Sequence, residues 1–137
     1  MSLTILLVDD DYILAKGTAK LIERIGGHHV IIQDKPEEII QLCQSGTIDI
    51  VIMDVNLSDA QLEDEYITGA DLSCFLKSQE STAHIPIILL TAYALANERQ
   101  SLLASSKADK LCTKPIMDYQ AFLELILQIY QTYPSSH

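Results

Sequence analysis

The chain has 137 residues, of which 48% are hydrophobic and 20% charged, with 19 acidic and 9 basic side chains. This length and composition fit one globular domain with a single sizeable core and exclude a disordered chain. The formal net charge of −10 argues against binding to a nucleic-acid backbone, which needs clustered Lys and Arg; it suits a soluble protein that holds a cation or meets a basic partner.

The first residues, MSLTILLVDDD, contain no basic segment and only a short apolar run. They predict neither a signal peptide nor a membrane helix. Cys43, Cys74 and Cys112 lie far apart in apolar-periodic stretches, so we expect buried thiols in a reducing compartment. We therefore expect a cytoplasmic protein without membrane association.

Strand and helix patterns alternate along the chain. Five apolar runs rich in β-forming residues predict strands at 3–8, 29–33, 49–54, 85–91 and 109–113. Apolar residues at helical spacing follow each run and predict helices at about 14–25, 36–44, 70–79, 95–105 and 119–130. Asp118 is expected to cap the last helix, and Asp11 the first.

The strand runs are apolar without alternation, which indicates a parallel sheet covered by helices on both faces. The predicted fold is α/β, a doubly wound (βα)5 domain over residues 1–132. A short polar tail, 133–137, follows it. We expect no second domain.

Polar residues stand where the predicted strands end, and ligands of open α/β sheets bind at those ends. These residues are Asp9, Asp10, Asp11, Asp54, Asn56, Thr91 and Lys114. Taken singly, each has an ordinary explanation as a helix cap, a turn former, a satisfied hydroxyl or an exposed lysine.

Together these residues indicate a reactive site. Two carboxylates held ~5 Å apart at an effective dielectric near 20 repel by about 3 kcal/mol, and Mg²⁺ with its oxygen ligands would offset this repulsion. A lysine and a hydroxyl nearby would complete a site for a phosphoryl group. A carboxylate nucleophile at such a site forms an acyl phosphate.

Four segments carry a family resemblance: ILLVDDD (5–11), IVIMDVNLSD (50–59), IPIILLTA (85–92) and CTKPI (112–116). The chain resembles the response-regulator receiver domain, the CheY-like family of two-component signalling. The resemblance implies a flavodoxin-like fold, with a five-stranded parallel sheet in the order 2-1-3-4-5 and helices on both faces.

The resemblance also implies a Mg²⁺ site formed by Asp9, Asp10, Asp54 and the backbone carbonyl of Asn56. In this assignment Asp10 is the direct ligand of the acidic pair, and Asp9 acts partly through water. Asp54 itself matches the aspartate that accepts the phosphoryl group.

Three further positions match the receiver pattern. Thr91 matches the hydroxyl that hydrogen-bonds the phosphoryl group in the active state, and Lys114 matches the lysine that pairs with it. Pro115 matches a proline whose preceding peptide bond is often cis in this family.

The implied function is that of a stand-alone response regulator and not of an enzyme. It would receive a phosphoryl group from a sensor histidine kinase or a phosphotransfer protein and would then bind a downstream target protein. We expect a monomer or weak dimer. A pseudo-receiver, an interaction module with weak or absent switching, stays an alternative.

The sequence departs from the family pattern at several positions. Leu111 replaces the usual aromatic residue three positions before the lysine, and Lys107 stands where a glycine is frequent. Ser58 replaces a common proline after the acceptor. Gly69, which matches the glycine that opens the third helix, comes about seven residues late, so that 60–66 is an insertion. We interpret it either as a tolerated surface insertion or as a partner-specific lip beside the phosphorylation site.

Two other classes of protein also form an aspartyl phosphate or bind phosphate groups, and the sequence fits neither. A phosphatase of the haloacid-dehalogenase type needs Asp-x-Asp after its first strand, whereas here the motif follows the third strand and the second residue is Asn56. A flavin- or nucleotide-binding domain needs Gly, Ser or Thr in its first loop, where this chain has three aspartates, Asp9 to Asp11.

Overall fold

The five predicted apolar runs form the strands of one parallel sheet. The structure is a computed structural model and describes residues 2–58, 60–92 and 95–132. All five residues of the third strand are buried, as a strand covered on both faces requires. The sheet strands are β1 (Thr4–Val8), β2 (His29–Gln33), β3 (Ile50–Asp54), β6 (Ile87–Thr91) and β7 (Lys110–Thr113).

The strands lie in the order β2-β1-β3-β6-β7, which confirms the predicted order 2-1-3-4-5 for the five main strands. The strand order changes direction at β1, because β2 lies on one side of β1 and β3 lies on the other. Val8 pairs with Met53 there, and Asp54 pairs with Leu90 on the next strand. The carboxyl ends of β1, β3 and β6 therefore meet at the switch point where ligands bind in this class of fold.

Five helices connect the strands, and their bounds agree with the predictions to within about two residues. They are α1 (Tyr12–Gly26), α2 (Pro36–Gln44), α3 (Gly69–Ser78), α4 (Ala96–Ser106) and α5 (Tyr119–Thr132). Both predicted caps are confirmed: the Asp11 side chain accepts a hydrogen bond from the Leu14 amide, and Asp118 accepts one from the Ala121 amide.

The helices cover both faces of the sheet, as predicted. One core cluster combines sheet residues with α1 and α5, including Ile22 and Ile126. The other combines the opposite sheet face with α2 and α3, including Ile39 and Leu72. The sheet is thus buried between two helical layers, and its carboxyl edge is left open for a site.

The insertion at 60–66 is a folded hairpin. Its strands are β4 (Gln61–Leu62) and β5 (Glu65–Tyr66), which pair antiparallel. The turn residues Glu63 and Asp64 have positive φ angles of 52° and 67°, the conformation of a tight two-residue hairpin turn. Ala60 at its base is buried, and the Ile67 amide donates to the Ala60 carbonyl at 3.0 Å. The hairpin is therefore anchored in the core.

Some expectations from the sequence were wrong. Only Cys43 is buried, whereas Cys74 and Cys112 are half-buried, because helical or strand periodicity places a residue on the inner face without fixing how much of it is covered. The predicted tail, 133–137, lies outside the described residues, and the boundary at residue 132 stays a prediction. No helix in the described part of the chain is long and apolar enough to cross a bilayer.

Candidate functional site

Three aspartates converge at the carboxyl edge of the sheet. Asp9 and Asp10 directly follow β1, and Asp54 is the last residue of β3. One carboxylate oxygen of each lies within 4.8 Å of the others. Asp9 and Asp54 expose only 6% and 4% of their surface, whereas Asp10 is half-buried. Adjacent parallel strands thus force together the carboxylates that the sequence singled out.

Both carboxylate oxygens of Asp54 have a partner. Oδ1 accepts a hydrogen bond from the backbone amide of Asn56 at 3.1 Å, and Oδ2 lies 2.6 Å from the ammonium of Lys114. These contacts fix the plane of the carboxylate. The Asp54 side chain is therefore held in one orientation at the carboxyl end of β3, with the Lys114 ammonium beside its Oδ2.

Lys114 is the cation of the site. Its Nζ lies 2.6 Å from Asp54 and 3.5 Å from Asp9, and its own amide donates to the Thr91 carbonyl. Partial burial acts to lower the pKa of Lys114, but the contacts with Asp54 and Asp9 outweigh it and raise that pKa. The peptide bond to Pro115 is cis, as the resemblance implied.

The two aspartates after β1 have opposite pKa shifts. Burial raises the pKa of Asp9 above its ordinary value, although the Asp11 amide and Lys114 partly offset this effect. Partial burial acts to raise the pKa of Asp10, but hydrogen bonds from the hydroxyl and amide of Ser58 outweigh it and lower that pKa. Asp10 is thus the better stabilised anion of the pair.

Thr91 and Asn56 lie where the sequence predicted them, at the ends of strands beside Asp54. Thr91 is the buried last residue of β6, one position beyond the residue that pairs with Asp54. Asn56 is exposed, and its amide already contacts the Asp54 carboxylate. Their roles toward a phosphoryl group and a metal ion stay predictions.

Gly69 places the start of α3 against the backbone of Asp54. Its amide donates to the Val55 carbonyl at 2.8 Å. A Cβ at position 69 would lie 2.8 Å from the Asp54 carbonyl carbon and closer still to its oxygen, which leaves no room for a side chain. Position 69 therefore requires glycine, because the backbone of α3 approaches the backbone of Asp54 so closely. The inserted hairpin explains why this glycine comes later in the chain than the family pattern has it.

The donor set fits a hard divalent cation. The clustered ligand atoms are all carboxylate oxygens, and among the described residues they form a compact group within 4.8 Å. Mg²⁺ takes one or two carboxylates together with waters and phosphate oxygens, so two of the three aspartates would suffice as direct ligands. The chemistry that the site supports is the binding of Mg²⁺ beside a fixed carboxylate and an ammonium group.

The structure also shows what the departures from the family pattern do. Leu111 is 6% exposed and belongs to the core cluster under α3. Lys107 has a positive φ of 58° at the end of α4, so the chain keeps the left-handed turn that a glycine would favour. Ser58, unlike the usual proline, contacts the site, and no local sequence pattern indicates this contact because its partner Asp10 is 48 residues away.

The chain matches the family model of the response regulator receiver domain over residues 5–126. It belongs to the response regulator receiver family. The receiver is 25% identical to the polar-differentiation response regulator DivK of Brucella ovis over 126 residues, which cover 92% of this chain and 94% of DivK.

A second relative is much longer than the receiver. The sensor protein GacS of Pseudomonas syringae pv. syringae is 31% identical over 118 residues, which cover 85% of this chain. The chain spans only 12% of the length of GacS. The similarity therefore concerns one domain of that sensor protein.

Solved structures share the fold. A CheY-like response regulator receiver domain protein from Methanospirillum hungatei JF-1 superposes with a TM-score of 0.77 at 20% identity, with 100% of both chains covered. The receiver domain of the sensor histidine kinase PA1611 from Pseudomonas aeruginosa PAO1, which has a magnesium ion coordinated in its active site cleft, gives a TM-score of 0.71 at 22% identity over 97% of this chain and 98% of that one.

Proposed function

We propose that the receiver accepts a phosphoryl group onto Asp54 from a phosphohistidine of a sensor histidine kinase or of a phosphotransfer protein. The observation that carries this proposal is the cluster of Asp9, Asp10 and Asp54, with Lys114 2.6 Å from the acceptor carboxylate. In this two-component reaction the protein is the phosphoryl acceptor and not a turnover enzyme.

In the proposed transfer a carboxylate oxygen of Asp54 attacks phosphorus. The phosphorus–nitrogen bond of the donor breaks, its electron pair returns to the imidazole, and the product is an acyl phosphate. The Asn56 amide and Lys114 hold the attacking group in one orientation before the transfer. Lys114 then pairs with a phosphoryl oxygen, and the Thr91 hydroxyl hydrogen-bonds another.

Asp9, Asp10, Asp54 and the backbone carbonyl of Asn56 would hold Mg²⁺. When bound, the ion neutralises negative charge on the transferring phosphoryl oxygens. The residues themselves supply a fixed, oxygen-only binding site. Among the described residues, Lys114 is the cation that contacts the cluster, and since its single charge does not balance three carboxylates, a divalent cation fits the charge of the site.

Exposed apolar side chains beside the site support a protein as the phosphoryl donor. Tyr12, Ile13 and Leu14 form the first turn of α1, directly after the acidic residues, and Ile13 is 85% exposed. Met117 is 87% exposed and follows the loop that carries Lys114. Such residues bury apolar area when a partner docks.

The signal would leave through phosphorylation-dependent binding of a downstream protein. A groove of about 330 Å³ between β7 and the start of α5 supports this part of the proposal, and Leu111, Met117 and Phe122 are among its lining residues. Free cysteines in the described chain are consistent with the proposed cytoplasmic location.

Leu111 favours a second candidate function, a pseudo-receiver that binds partners without switching. Its side chain is already buried in the core and carries no hydroxyl that could move between two hydrogen-bonded positions. In this case phosphorylation at Asp54 would leave partner affinity unchanged. Comparing partner binding with and without Mg²⁺ and beryllofluoride separates the two candidates.

The phosphoryl transfer itself can be tested without the partner kinase. We expect acetyl phosphate and Mg²⁺ to add one phosphoryl group to the full chain, as seen by intact-protein mass spectrometry, and EDTA to prevent it. Asp54→Ala should acquire none, whereas the exposed control Asp34→Ala should react like the wild type. A phosphorylated Asp54→Ala protein, or an unmodified wild type, contradicts the proposal.

A further inference from the structure

The Asp10 carboxylate is held by a residue that departs from the family pattern. Ser58 stands where receivers commonly have proline, and it donates two hydrogen bonds to the same Asp10 oxygen, Oδ2. One comes from its backbone amide at 2.9 Å and the other from its hydroxyl. A proline has neither donor, so the usual residue could make neither contact.

The three carboxylates of the cluster differ in what orients them. Asp9 and Asp54 both contact Lys114, and each also accepts a hydrogen bond from a backbone amide two residues along the chain. Asp10 lacks the direct contact with that lysine. In the described part of the chain, Ser58 is the only other residue that donates hydrogen bonds to the Asp10 carboxylate. The direction of this carboxylate therefore depends on Ser58.

The arrangement leaves Asp10 able to bind a cation. Both donors of Ser58 use Oδ2, and a carboxylate has two oxygens with two lone pairs each, so Oδ1 stays available. Hydrogen bonds from outer residues to a ligating carboxylate fix its orientation, and their loss typically weakens metal affinity by roughly 10–100-fold. The contacts also join the loop after β1 to the segment just before the hairpin, across 48 residues of sequence.

We propose that Ser58 is a positioning residue that orients the Asp10 carboxylate for Mg²⁺, an inference that rests on the proposed function. Ser58 takes no part in the phosphoryl transfer. It restricts the rotation of Asp10 before the cation arrives, so that less conformational entropy is lost on binding. Its hydrogen bonds to Asp10 also connect the segment before the hairpin to the proposed metal site.

Mg²⁺ binding to the full-length protein tests this inference without any phosphorylation step. Isothermal titration calorimetry with MgCl₂ should show a dissociation constant about tenfold higher for Ser58→Ala than for the wild type. Ser58→Thr keeps the hydroxyl and should restore the affinity. Ser105→Ala is the matched control, because Ser105 is exposed and its hydroxyl donates only to a backbone carbonyl of its own helix.

Thermal unfolding in EDTA checks that the variants are folded, and we expect closely similar melting temperatures for Ser58→Ala and Ser105→Ala. Mg²⁺ affinity of Ser58→Ala equal to or tighter than that of the wild type overturns the inference, as does a Ser58→Thr variant as weak as Ser58→Ala. In both cases the wild type still binds Mg²⁺, and the proposed function stands. A wild type that binds no Mg²⁺ contradicts the proposed metal site itself.

Discussion

Lys114 is one positive charge among three carboxylates. Its ammonium contacts Asp54 and Asp9 directly, and with all three carboxylates ionised the four described side chains carry a net charge of about −2. One divalent cation would balance this charge. In the proposed function the site binds Mg²⁺ at the expense of stability in the absence of the ion, and substitutions of single residues should separate the two properties.

Asp9→Asn should stabilise the protein when Mg²⁺ is absent. Burial raises the pKa of Asp9, so the folded state holds its proton more tightly than the unfolded state and is penalised by ionisation at neutral pH. We expect the free energy of unfolding in EDTA to rise, because the amide of Asn carries no charge that burial penalises. Urea denaturation measures the change.

If Asp9 contributes to the cation site, Mg²⁺ should offset the stability advantage that Asp9→Asn has over the wild type in EDTA. Adding the ion should stabilise the wild type clearly more than Asp9→Asn. Asp34→Asn, at an exposed position, should behave like the wild type in both conditions. An Asp9→Asn protein less stable than the wild type in EDTA would show that Asp9 is held by favourable contacts and not strained by burial.

At the scale of elements, helix α3 supports the site through Gly69. The amide at this position bonds to the strand end, and a side chain would collide with the backbone of Asp54. We expect Gly69→Ala to lower the free energy of unfolding by about 3 kcal/mol or more, because neither backbone can move aside. It should also slow phosphorylation of Asp54.

Gly17 offers a matched control in the exposed face of α1. A Cβ there meets nothing within 4 Å, and the residue is in the middle of a helix. Gly17→Ala should therefore raise the free energy of unfolding by roughly 0.5–1 kcal/mol. Equal effects of the two alanine variants, measured by urea denaturation, would contradict the close approach at Gly69.

The hairpin carries unfavourable turn residues. Glu63 and Asp64 both have positive φ, which costs about 1 kcal/mol for a residue with a side chain, whereas Asn-Gly suits this turn. We expect the double substitution Glu63→Asn with Asp64→Gly to raise the melting temperature of the protein. If stability falls instead, the acidic side chains make contacts that outweigh the backbone cost.

The hairpin is the part of the fold that the sequence did not predict, and its turn residues explain why. The main strands were predicted because their apolar runs stand out, and β2 was predicted with its observed bounds at 29–33. The hairpin has two-residue strands and a Glu-Asp turn, which lack the usual Asn-Gly signal. The contact between Ser58 and Asp10 joins distant parts of the chain, and no local pattern could indicate it.

At the scale of the whole molecule, a buried histidine lies at the opposite edge of the sheet from the three clustered aspartates. His28 is buried, and its Nδ1 accepts a hydrogen bond from the Leu3 amide at 3.0 Å. This bond needs the neutral ring. Burial lowers the pKa of His28 below its ordinary value.

His28 should therefore make stability depend on pH. Because its pKa is lower in the folded state, the unfolded state takes up a proton first, and stability falls as pH drops below about 6.5. Urea denaturation between about pH 7.5 and 5.5 should show a smaller loss for His28→Gln than for the wild type. The exposed control His84→Gln should keep the wild-type slope, and an unchanged slope in His28→Gln would contradict this account.

All proposed roles at the site depend on Asp54 being the residue that accepts the phosphoryl group. Borohydride reduces an acyl phosphate to an alcohol, so treating the protein after acetyl phosphate and Mg²⁺ should convert the acceptor aspartate to homoserine. Peptide mass spectrometry should then find homoserine at position 54 and at no other aspartate. Homoserine at Asp9 or Asp10, or a phosphoryl group on another side chain with Asp54 intact, would contradict the central claim.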